Sequence, residues 1–219
     1  MISIGLALLL NRMFLSPQII LDGYNKGLFP MAESSNDPFI YWVDPKERGI
    51  IKLNEFKISR SLKKELKKNN FKIKVNQNFE KTINLCARNL NRKSTWINNQ
   101  IIENYIKLFK IGVAKSIECF ENDKLIGGLY GLIVGKIFCG ESMFSIKKNS
   151  SKISMVYLAA FLKEGGFKYI DTQFYSEHLK QFGTKKIEKK KYLEILSQHG
   201  KEEVVFPEEI KKDVLEYFK

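Results

Sequence analysis

Two periods of apolar and polar residues run along this chain. Phe71-Lys-Ile-Lys-Val75 alternates strictly and predicts a strand with one apolar and one cationic face. Three longer apolar-rich runs, 114–121, 125–134 and 136–144, are separated by Asn122-Asp123-Lys124 and Gly135-Lys136, and read as a three-stranded meander. A further strand is expected over 167–174. Helical spacing marks 59–68, with Leu62 and Leu66 on one face. It recurs after Asn78, where Phe79, Ile83, Cys86 and Leu90 share a side, and after Asn98 or Asn99, where Ile102, Tyr105, Ile106 and Phe109 point inward and Gly112 is the stop. Ser150 or Ser151 caps a long helix that runs through Leu162 and stops at Gly165-Gly166. Near the start, Ser16-Pro17 caps a short helix bearing Ile19, Ile20 and Tyr24 and stopping at Gly27. A short strand over 39–43 and the turn Asp44-Pro45 lead into Gly49-Ile50-Ile51. Ser176 caps a last short helix ending at Gly183, and the remainder reads as a basic segment, 185–191, and a tail.

A meander followed by helix, strand and helix around one sheet implies an α+β fold. The pattern divides near residue 56, into a small N-terminal α/β domain over 1–56 and a larger domain over 57–219.

Charge changes the picture more than composition does. The 219 residues are 44% hydrophobic and 28% charged, which is ordinary, but 37 Lys and Arg against 24 Asp and Glu give a net charge of +13. Such an excess favours a polyanionic partner, nucleic acid first, over the alternative of a Lys-rich composition. Three cysteines without C-x-x-C spacing argue against a disulfide framework or zinc site, and two histidines make a histidine-built metal site improbable. The apolar run 2–10 lacks a basic flank and is too short to span a bilayer, so a buried opening segment and a cytoplasmic protein are expected.

Chemistry concentrates between Gly127 and Gln173. Glu141 stands in an otherwise apolar strand, where alternation puts Cys139, Glu141 and Met143 on one face. Asp171 and Gln173 share a face of their strand, about 7 Å apart. A carboxylate in apolar surroundings is costly unless paired or used. Asp171 in this spacing could orient Gln173, whose carboxamide offers an acceptor for an amine proton; a solvent-facing strand carboxylate is the plainer alternative. Trp96 follows a basic loop, 91–95, and reads either as a base-stacking platform or as a core residue; Trp42 invites the same pair of readings. The helical face Ser154, Met155, Leu158, Phe161, Leu162 reads as core or as a pocket wall. Basic runs at 63–68 and 185–191 fit a phosphate-binding rim, and each contact to phosphate would make binding salt-dependent.

The same residues form an ordered set of motifs: Y-N-K-G-L-F-P-M from Tyr24, R-G-I-I from Arg48, I-S-R-S-L from Ile58, T-W-I from Thr95, G-G-L-Y-G from Gly127, G-E-S-M-F-S from Gly140, N-x-S-K from Asn149 and I-D-x-Q from Ile170. In this order, over residues 16 to 198, the chain resembles the bacterial leucyl/phenylalanyl-tRNA–protein transferases. The resemblance implies transfer of Leu or Phe from aminoacyl-tRNA to proteins with an N-terminal Arg or Lys, which marks them for degradation. It also implies a catalytic domain like the N-acetyltransferase (GNAT) fold. The stretch 147–152 contains no glycine, so the acetyl-CoA loop is missing and no cofactor or metal is expected. By this resemblance Asp171, Gln173 and Glu141 are the catalytic residues. Trp96 stacks on the terminal adenosine, and Leu129, Met155, Leu158, Leu162 and Ile170 form the aminoacyl side-chain pocket. Arg60, Lys63, Lys64 and Lys67 contact the tRNA backbone. The family's second Trp beside Trp42 is replaced by Tyr41, and the N-terminal segment is short. A monomer is expected. The alternative from another class is a non-catalytic RNA-binding module.

Overall fold

The structure is a computed structural model that describes residues 15–68, 70–88 and 94–219. The apolar run 2–10, Leu90 and the first part of the loop 91–95 lie outside the described residues.

Helix α1 (Pro17–Asn25) starts where expected, with the Ser16 hydroxyl accepting from the Ile19 amide and Pro17 at the first helical position. Strands β1 (Phe29–Met31) and β2 (Tyr41–Val43) pair antiparallel as a small separate ribbon. After β3 (Glu47–Lys52), helix α2 (Arg60–Lys68) buries Leu62 and Leu66 and leaves its lysines in water. Strand β4 (Lys72–Val75), α3 (Phe79–Ala87) and α4 (Asn99–Lys110) lead into the meander of β5 (Ala114–Glu121), β6 (Lys124–Val134) and β7 (Ile137–Ser145). The β5–β6 turn carries Asn122 and Asp123 at φ 47° and 60°, the left-handed pair that a two-residue hairpin demands. Helix α5 (Ser150–Glu164) crosses back to β8 (Tyr169–Gln173), which runs parallel to β7. The chain continues through α6 (Glu177–Lys180), β9 (Lys185–Glu188) and α7 (Lys189–His199).

Seven strands make one mixed sheet in the order β4-β5-β6-β7-β8-β3-β9, antiparallel throughout except at β7–β8. Each face carries its own core, because successive strand residues point to opposite sides. Tyr130 and Leu132 join a core with α1, α3, α4 and α7, whereas Leu129 joins one with α2, α5 and the C-terminal residues Phe206 and Tyr217. Helix α5 is buried on most sides, with Ile153, Met155, Val156, Leu158, Ala159 and Leu162 all inside.

Four expectations differ from what is seen. The strand β3, placed by its sequence in the first unit, pairs with β8 and β9 in the large sheet, so the expected division at residue 56 does not coincide with a sheet boundary. In α4 the buried residues are Ile101, Asn104, Tyr105 and Leu108, while Ile102, Ile106 and Phe109 pack at its margin. The stripe is rotated by about one residue, because apolar residues flank both sides of it. The basic segment 185–191 is not an open run: its first half is the edge strand β9 and its second half the opening turn of α7. An edge strand rich in lysine is a usual way to keep a sheet from pairing further. Finally, Met143 does not share a face with Glu141. The register slips between Tyr130 and Gly131, pairing Ser142 with Tyr130 and Gly140 with Gly131, which leaves Glu141 as the extra residue of a bulge. Beyond it the alternation is inverted, so Met143 faces the α5 side and Phe144 the other.

Candidate active site

The site lies where three neighbouring strands of the sheet, β7, β8 and β3, present polar groups to the interior. Strand β8 ends on Asp171, Thr172 and Gln173, and Gln173 has φ 60°, a left-handed conformation unusual for a side-chain-bearing residue. The turned backbone comes close to β3. A Cβ at Gly49 would stand 2.5 Å from the Thr172 hydroxyl and 2.8 Å from the Phe174 carbonyl oxygen, so only glycine fits there.

Asp171 is completely buried and accepts from every side. Arg48 Nε lies 2.9 Å from Oδ1 and 3.1 Å from Oδ2, and Nη2 lies 2.7 Å from Oδ2. The Tyr192 hydroxyl donates to Oδ2 at 2.8 Å, and the Gln173 amide donates to Oδ1 at 2.8 Å. Arg48 is itself only 1% exposed. Its Nη1 donates to the Gly27 carbonyl oxygen at 3.0 Å, and its guanidinium lies over the rings of Phe29 (4.7 Å) and Tyr192 (4.4 Å). Burial opposes the arginine's charge more than any other single effect, but the Asp171 charge, its hydrogen bonds and the neighbouring Tyr192 and Cys139 together outweigh it and raise the arginine's affinity for its proton.

Glu141 has a different setting. Its Oε1 accepts from the Tyr24 hydroxyl and from Gln173 Nε2 at 3.1 Å, while Oε2 is buried and has no hydrogen-bond partner among the described residues. Tyr24 and Tyr105 touch through their hydroxyls at 3.2 Å. Burial pushes the Glu141 carboxyl up to about 7, against hydrogen bonds from Tyr24 and Gln173 that favour the charged form. Burial and the Glu141 charge raise both phenols well above 10, so they remain donors at neutral pH. Gln173 Nε2 also donates to the Tyr24 hydroxyl at 3.1 Å. With its amide nitrogen facing two oxygens, Gln173 turns its carbonyl oxygen the other way.

A cavity of about 460 Å³ adjoins Glu141. Leu129, Met143, Met155, Leu158 and Ile170 form its apolar side, and Ser142, Ser151, Thr172 and His178 are among its polar lining. Partial desolvation of the largely exposed His178 lowers its pKa, helped by the nearby Lys152, which favours the neutral ring. Of the residues expected to form an apolar pocket, four line this space. Leu162 does not: it is fully buried in the core behind the wall. Met143 takes part instead, brought round by the bulge. Trp96 is half-buried, packs against the core of the opposite face and is absent from the cavity lining. Arg60, Lys63, Lys64 and Lys67 are exposed on α2. Among the described residues no group of three or more His, Cys, Asp or Glu could hold a metal ion, and no helix is long and apolar enough to cross a membrane.

Sequence reasoning thus found both carboxylates and Gln173 but missed Arg48, Tyr24, Tyr105 and Tyr192. Arg48 and Tyr24 sit inside motifs that were visible. Nothing in the local pattern marks either as buried, because β3 and α1 reach the site only through pairing and packing.

Comparison with known proteins supplies the class. The family model described as leucyl/phenylalanyl-tRNA protein transferase matches residues 50–197, and that of its N-terminal domain matches 13–46. The chain is 46% identical over 160 residues to the leucyl/phenylalanyl-tRNA–protein transferase of Maricaulis maris, covering 73% of this chain and 74% of that protein. It is 46% identical over 166 residues to that of a Ruegeria species, covering 76% and 78%. Among solved structures, L-PGS from Bacillus licheniformis is similar at 14% identity with a TM-score of 0.41, over 70% of this chain and 51% of that one. The family models and these relatives define a transferase enzyme. The chain belongs to the leucyl/phenylalanyl-tRNA protein transferase family.

Proposed function

We propose that the protein moves Leu or Phe from aminoacyl-tRNA to the α-amine of an N-terminal Arg or Lys, forming a peptide bond that marks the acceptor for degradation. The observation that carries this reading is the Glu141–Gln173–Tyr24 cluster beside an apolar cavity. The cavity is of a size and polarity to take a leucyl or phenylalanyl side chain, which would place its ester near Glu141 and Gln173.

The reaction is aminolysis of an activated ester. The amine nitrogen attacks the ester carbon, the new C–N bond forms, and the C–O bond to the terminal ribose breaks, with a proton passing to the departing hydroxyl. The ester supplies the driving force, so no cofactor is called for. The protein must align the two reactants and take the amine's proton. Gln173 Oε1, freed by the two bonds of its Nε2, accepts a hydrogen bond from the incoming amine and points its lone pair. Glu141, with a pKa near 7, is matched to an α-amino group whose ordinary value is about 8, and receives the proton. The Tyr24 hydroxyl donates to the Glu141 carboxylate from one side, and the Tyr105 hydroxyl meets that of Tyr24. Asp171 is spent on Arg48, so its charge orients Gln173 rather than meeting the substrate. The acceptor's positive side chain is drawn by the Glu141 carboxylate.

Trp96 in this reading stacks on the terminal adenosine, and Arg60, Lys63, Lys64 and Lys67 hold the tRNA backbone. The meander, α5 and β8 correspond in order to an N-acetyltransferase-like half. Asn149, in left-handed conformation (φ 67°), opens α5 where a coenzyme A loop would need glycines. The enzyme acts as a monomer in the cytoplasm, where aminoacyl-tRNA is made.

Transfer of radiolabelled leucine from Leu-tRNA to a reporter protein beginning with Arg tests the proposal, with Ala-tRNA and an Ala-starting reporter as controls. Label moving only in the Leu/Arg pairing supports it. Salt-sensitive tRNA binding without transfer would leave an RNA-binding module instead.

A further inference from the structure

The geometry points to Arg48 and Tyr192 as positioning residues that hold the reactive carboxamide of Gln173 in place by way of Asp171. The inference rests on the proposed role of Gln173 in the transfer.

Gln173 sits in a left-handed backbone conformation, a strain that the surroundings must offset. Beyond its pairing with β3, its own amide is tied by one side chain, the 2.8 Å bond to Asp171 Oδ1. Asp171 therefore sets the direction in which the Gln173 side chain leaves the strand. Asp171 in turn has little freedom. Two nitrogens of Arg48 grip it side-on and the Tyr192 hydroxyl closes the remaining approach to Oδ2. A bidentate guanidinium–carboxylate pair fixes the carboxylate plane as a single ammonium does not.

The holders come from parts of the chain far apart in sequence. Arg48 is on β3, Tyr192 on α7, and the Gly27 carbonyl and Phe29 ring that seat the guanidinium follow α1. Tyr192 both donates to Asp171 and stacks on Arg48 at 4.4 Å, so one ring fixes both ends of the pair. Neither residue lines the cavity. Their effect on the reaction is exerted only through Asp171 and the backbone of Gln173.

The test is a double-mutant cycle on the full chain: Arg48→Met, Asp171→Asn and both together, with Tyr192→Phe alongside. Transfer of leucine from Leu-tRNA to the Arg-starting reporter is followed for kcat and for the KM of Leu-tRNA, and thermal unfolding is recorded for each. Arg48→Met is expected to lower kcat by about 100-fold, as misplacing a reacting group by an ångström does, with the KM of Leu-tRNA unchanged. Tyr192→Phe, which removes the hydrogen bond donated to Asp171 and the longer one accepted from Arg48, should lower kcat by about tenfold. The double variant should be no slower than the slower single variant and should melt above both, since each single change strands a buried charge and the pair together does not. Effects that multiply in the double variant, or a raised KM at constant kcat, would overturn the inference. If Arg48→Met does not fold, the double variant and Tyr192→Phe decide: wild-type kcat in Tyr192→Phe would likewise refute it. A wild-type protein inactive in leucine transfer would instead refute the proposed reaction, and is scored separately.

Discussion

Two carboxylates stand on adjacent strands of one sheet, and they are held in opposite ways. Asp171 on β8 accepts from Arg48, Tyr192 and the Gln173 amide. Glu141 on β7 has, among the described residues, two partners on one oxygen and none on the other, and burial carries its pKa to about 7. Both are buried, so burial alone does not set their roles. Pairing does: a carboxylate saturated by a guanidinium is a fixed strut, and one left short of partners is poised to exchange a proton.

The largest expected effect follows from the saturated side. Asp171→Ala leaves Arg48 buried and unpaired, which costs about 3–5 kcal/mol. Denaturant unfolding should show a loss of that size. A loss similar to that of an ordinary surface change would mean the pair is not closed in solution.

Next comes the poised side. Glu141→Gln keeps the shape of the site and removes the proton acceptor, so kcat should fall by about 100-fold. The parent's activity should rise with pH through about 7 as the carboxyl ionises, and that step should vanish from the variant's pH–rate profile. Stability gives an independent check of sign. The folded carboxyl titrates near 7, above the 4.5 of the unfolded chain, so burying it costs most above pH 7 and nothing below pH 4.5. Glu141→Gln should therefore gain on the parent by up to about 3 kcal/mol between pH 5 and pH 8. Equal stability at both pH values would refute the raised pKa.

Smaller effects belong to the cavity and the basic face. Met143→Ala enlarges the apolar wall and should shift the ratio of kcat/KM for Leu-tRNA and Phe-tRNA by about 1–3 kcal/mol, whereas a conservative Leu162→Met, behind the wall, should leave that ratio alone. Lys64→Ala on α2 should weaken tRNA binding with little effect on kcat, reducing the salt slope by about 1.

Much of the fold was legible because its signals are local. Ser16-Pro17, Asn98 and Ser176 cap helices as their residue types demand, and the meander turns at Asn122-Asp123 as expected. The candidate site residues Glu141, Asp171 and Gln173 were also visible, as polar residues in runs that want burial. What stood hidden were their partners. Arg48 reads as one more arginine of a basic chain, and Tyr192 as an aromatic in a lysine-rich segment. The bulge at Glu141 was hidden too, since strict alternation has no means of announcing an extra residue.

Composition and periodicity alone determined an α+β protein with a strongly positive net charge, the order of most of its strands and helices as far as α6 but not β9 and α7 beyond it, and three polar residues in runs that want burial. These depend on short-range rules of backbone and burial, which each segment obeys on its own. Only the tertiary structure decided which carboxylate is neutralised and which is left poised. That distinction depends on β3 lying beside β8 and on α1, α4 and α7 packing over one face, and contacts between residues more than a hundred positions apart leave no mark in any local stretch.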